Sequence, residues 1–94
     1  MIVKDKDATR QNADKICKNL FTMITNEMVA YTDEDDPAEI IYALVHIAGN
    51  LNARICLGIE QYGKIYNIKN MTAKKTLEWI KVIANEHNKA NKNV

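Results

Sequence analysis

At 94 residues the chain is long enough for one small domain and too short for two. An apolar fraction of 47% beside 27% charged residues excludes a disordered tail, and a net charge of +1 excludes a global field that would draw the chain onto nucleic acid or an anionic membrane. Charge is nevertheless uneven: residues 31–63 carry one basic and six acidic groups, and residues 64–94 carry seven and two.

The first seven residues turn polar at once, so no hydrophobic leader is expected. Cys17 and Cys56 are then expected to be reduced thiols in a cytoplasmic protein, each filling an apolar helical position as a small buried hydrophobe. With one proline, three glycines and few alternating apolar-polar runs, helix is the default. The expected fold class is all-α: a small three-helix bundle with helices at about 8–29, 37–62 and 71–88.

In the first helix Ala13, Ile16, Cys17, Leu20, Phe21, Ile24, Met28 and Tyr31 recur every three or four residues and form one dry face. Residues 1–7 are its polar lead. The acidic run Asp33-Glu34-Asp35-Asp36 breaks the pattern, and Asp36-Pro37-Ala38-Glu39 is a helix start: Asp36 caps, Pro37 suits the first turn, and Glu39 suits a capping box. Gly63 is expected to end the second helix in the left-handed position. A connector at 64–70 follows, in which Ile65, Tyr66 and Ile68 fold back on the bundle. Asn70 or Thr72 opens the third helix, whose inner side is Ala73, Leu77, Ile80, Ile83, Ala84 and His87 with Trp79 at its flank. A polar tail at 88–94 frays.

Residues 40–53 hold no Asp, Glu, Lys or Arg, so the second helix needs cover along much of its circumference. That run falls short of the ~20 residues that span a bilayer and contains His46, Gly49, Asn50 and Asn52, so no membrane span is expected. Gly49 and Gly58 each cost about 1 kcal/mol relative to alanine inside a helix. Keeping them points to close backbone approach, hence to a homo-oligomer assembled through this helix.

His46, Asn50 and Arg54 follow at four-residue spacing and make a polar ridge among small and apolar neighbours. An imidazole, an amide and a guanidinium in line suit a partner protein or an anionic group. The sequence therefore assigns Asp33, Glu34, Asp35, His46, Asn50 and Arg54 to a partner-binding surface. An alternative set is Arg54 and Lys64 meeting the phosphate of a small anionic ligand such as a nucleotide, with Tyr62, Tyr66 or Trp79 stacking on its base. A further alternative is a nucleic-acid-binding regulator using the lysine-rich last third, although that segment lacks arginine, the usual base reader.

No cofactor or metal is expected, since the two histidines and two cysteines show no paired zinc-ligand spacing and the acidic run lacks the EF-hand pattern. The chain has no serine and no Gly-rich elbow or phosphate loop, so it is not read as an enzyme. Small size, helices and an Asn- and Lys-rich composition suit an inhibitor or immunity-type protein of a bacteriophage or other AT-rich mobile element, one that binds and blocks a protein partner.

Overall fold

The computed structural model describes residues 3–31 and 36–92. They form three α-helices and no strand: α1 (Lys6–Tyr31), α2 (Pro37–Ile65) and α3 (Ala73–Lys92). The all-α expectation holds, and every helix ends beyond its expected last residue, while α3 begins at Ala73 rather than near 71. The chain divides into two compact units, Met1–Val45 and His46–Val94.

In the first unit, α1 starts at Lys6 because Asp5 supplies a cap: the Ala8 N–H donates to Asp5 Oδ1 at 3.0 Å. Asp36 does the same for α2, accepting from the Ala38 N–H at 3.1 Å and the Glu39 N–H at 3.3 Å, with Pro37 in the first turn as expected. Cover comes from one ridge of α1, Leu20, Ile24 and Met28, together with Ile40, Ala43 and Leu44. Met28 is the best covered, at 8% exposure.

The rest of the expected dry face is wet. Ala13, Ile16, Cys17, Phe21 and Tyr31 are all exposed, Phe21 at 63% and Tyr31 at 81%. Cys17 is thus not the buried small hydrophobe that its position suggested. The reason is that cover on α1 is confined to residues 20–28, so Ala13, Ile16, Cys17 and Tyr31 fall outside it.

In the second unit, the turn between α2 and α3 is the best-defined feature. Gly63 does not adopt the left-handed conformation expected of it; it stays helical and α2 continues to Ile65. Asn67, at φ 54°, takes the left-handed position instead. The Ile68 N–H donates to the Gly63 carbonyl at 2.8 Å and the Asn67 N–H reaches the Lys64 carbonyl at 3.5 Å, the paired bonds of a Schellman ending.

Gly63 is required for a different reason: a Cβ built there would lie 2.6 Å from Met71 Cβ. After Asn70, again left-handed at φ 68°, Thr72 caps α3 by accepting the Lys75 N–H on Oγ1 at 3.1 Å. Glu60 reaches over from α2, and its Oε2 accepts the Ala73 N–H at 3.3 Å. A carboxylate at the N-terminus of α3 also suits that helix's dipole.

Thr76, at 2% exposure, and Cys56, at 4%, are the buried side chains here, so Cys56 is covered as expected. Ile68 is half-buried, whereas Ile65 and Tyr66 face solvent rather than folding back. His87 is exposed too, and α3 persists through the expected frayed tail to Lys92. No proline or glycine interrupts 73–92, and Lys89 and Lys92 favour the negative end of the helix.

Gly63 and Gly58 of α2 therefore answer differently to a methyl group. Gly63→Ala is expected to lose about 1–3 kcal/mol, since Met71 must move. Gly58→Ala, where a Cβ meets nothing within 4 Å, should gain about 0.5–1 kcal/mol from helix propensity. Urea denaturation of the two variants checks both signs.

Candidate interaction surface

Four-residue spacing on α2 sets His46, Asn50 and Arg54 about 6 Å apart in rise along one side of the helix. All three are exposed. Arg54 Nε donates to Asn50 Oδ1 at 2.9 Å, so the amide holds the guanidinium along the ridge. The sequence named these two groups as neighbours, and they bond directly. Asp33, Glu34 and Asp35 lie outside the described residues. Asp36, the last of that acidic run, is occupied as the cap of α2.

The residues of the nucleotide alternative are each engaged locally. Tyr62 and Tyr66 stack on one another with centroids 5.8 Å apart and planes 16° apart. Lys64 Nζ lies 4.0 Å from Glu60 Oε1, and Lys75 Nζ lies 5.8 Å from the centroid of the Trp79 ring. Arg54 belongs to the ridge, with Asn50 as its partner. The structure thus pairs Tyr62 with Tyr66, and gives Lys64, Trp79 and Arg54 partners from outside the set.

Sequence reading missed Glu60, Asn67 and Met71. Glu60 has one visible signal, a lysine four residues on at position 64; its bond to Ala73 crosses thirteen residues of sequence and leaves no local mark. Among the described residues no group of three or more His, Cys, Asp or Glu is placed to hold a metal ion. The cysteines are free thiols.

Outside the ridge, large apolar side chains are exposed in each unit: Ile41, Tyr42 and Val45 with Phe21 and Tyr31 in the first, and Leu57, Val82 and Ile83 in the second. By length and composition alone, α2 is long and apolar enough to cross a membrane, and little of that stretch is buried. The charge-free run at 40–53, too short to span a bilayer by itself, is shorter than the helix that contains it. Comparison with family models, with curated proteins and with solved structures finds no match.

An exposed i, i+4 side-chain pair contributes only about 0.2–0.5 kcal/mol. Arg54→Ala is therefore expected to shift stability by no more than about 0.5 kcal/mol in a thermal melt. A larger loss would assign Arg54 a role in holding the fold.

Proposed function

We propose that the chain is a non-enzymatic helical interaction module that binds and blocks a protein partner, as inhibitor or immunity-type proteins of mobile elements do. The observation that supports this reading is the exposure of large apolar side chains on well-formed helices, with Phe21, Tyr31, Tyr42 and Leu57 all in solvent. A single exposed apolar residue is ordinary, but large apolar and aromatic side chains left in water in this number gain by being covered against a partner. Aromatic residues and arginine are the usual anchors of such interfaces, and Arg54 lies exposed on α2 with its Nε donating to Asn50 Oδ1.

Protein suits this surface better than lipid. Arg54, His46, Asn50 and Asn52 interrupt the apolar length of α2, and an arginine at mid-bilayer costs about 2.5–3.5 kcal/mol. Against a protein groove the same groups become hydrogen-bonding partners. The nucleotide reading has less support, because the aromatic rings it requires already contact Tyr and Lys side chains.

The test is quantitative capture from a lysate of the source cells, with mass spectrometry of the bound proteins. Wild-type chain is expected to enrich a defined protein. The triple change His46→Ala, Asn50→Ala, Arg54→Ala and the pair Asp33→Lys, Asp35→Lys should each reduce that enrichment at least about tenfold. Undiminished capture by both would remove the ridge and the acidic run from the contact, and no enriched protein at all would remove the reading.

A further inference from the structure

We infer that α2 pairs with α2 of a second copy, antiparallel, about a two-fold axis at Ala53; the inference rests on the reading of the chain as an interaction module. His46, Gly49, Ala53, Leu57 and Glu60 fall within about 80° of arc on the helix. The first four are exposed and Glu60 is half-buried.

The strip is complementary to its own reverse. Turned about Ala53, Leu57 lies opposite Gly49, His46 lies opposite Glu60, and Ala53 meets itself. A two-fold interface must use one patch twice in this way.

Each pairing has a physical reason. Among the described residues a Cβ at Gly49 would meet nothing within 4 Å, so no packing among them explains a residue that costs the helix about 1 kcal/mol. A leucine from a second copy fills that open place, and Leu57 is 57% exposed. Alanine at the axis lets the two backbones approach. Glu60 turns Oε2 to the Ala73 N–H, while its other oxygen, 4.0 Å from Lys64 Nζ, remains able to accept from an incoming imidazole. Antiparallel helices also set opposite dipole ends together.

The test uses the full chain in sedimentation velocity and light scattering over a concentration series. A dimer is expected. Leu57→Glu and Gly49→Leu should each raise its dissociation constant at least about tenfold. Both sites are exposed, and Gly49→Leu improves helix propensity, so circular dichroism should show undiminished helix. In a Cys17→Ser background, Ala53→Cys should form an intermolecular disulfide under mild oxidation, and Gln61→Cys, outside the strip, should not.

A monomer at high micromolar concentration, a dimer indifferent to both strip variants, or cross-linking at Gln61→Cys but not Ala53→Cys would overturn the pairing. A monomer that captures a partner protein through Leu57 would overturn self-pairing and leave the interaction reading standing. A monomer that captures no protein and floats with phosphatidylcholine–phosphatidylglycerol vesicles would overturn both.

Discussion

Apolar side chains stabilise a fold only as they leave water, at about 25 cal/mol per Å² removed. In this chain few leave it completely: Met28 and Cys56 are the buried apolar side chains among the described residues. The helices are long, and the covered stretches of α1 and α3 occupy only part of each. Backbone hydrogen bonds close within every helix, yet isolated helices are marginal in water without a buried face. The shortage of cover links the exposed aromatics and the proposed partnership.

What the chain does fix firmly are the helix ends. Asp5, Asp36 and Thr72 each satisfy N–H groups that a helix start leaves unpaired, and Asn67 turns the chain out of α2 with two backbone bonds. Glu60 then ties that turn to the start of α3. Gly63 admits Met71 at a separation no other residue would allow. The second unit thus owes its definition to a compact corner as much as to its apolar contacts.

These features were legible in the sequence to different degrees, for physical reasons. Asp36-Pro37-Ala38-Glu39 announced a helix start because capping is local, and the structure places the cap there. Three- and four-residue periodicity revealed the three helices for the same reason. Periodicity marks which residues share a side, however, and does not tell whether anything lies against that side. Leu20 and Phe21 look equivalent in the pattern, yet only Leu20 gains cover. Gly63 was read as a left-handed terminator because that is the common local use of glycine; its actual constraint comes from Met71, eight positions on. Of the candidate surface, the Asn50–Arg54 contact followed from spacing, whereas the partners of Glu60 and Trp79 depended on how the local chain is arranged.

From Val3 to Asn19 every residue is exposed, although Lys6 onward is helical. Its side chains gain little cover, so its cohesion comes from the backbone ladder, the Asp5 cap and such slight supports as the Asp14–Lys18 pair at 3.2 Å. Amide protons should exchange in a gradient, slow near Met28 and fast toward Lys6, and a protease would cut the fast end first. Natural variation should follow the same gradient: near Lys6 almost any good helix former serves, while around Leu20 to Met28 each replacement must also match a shape.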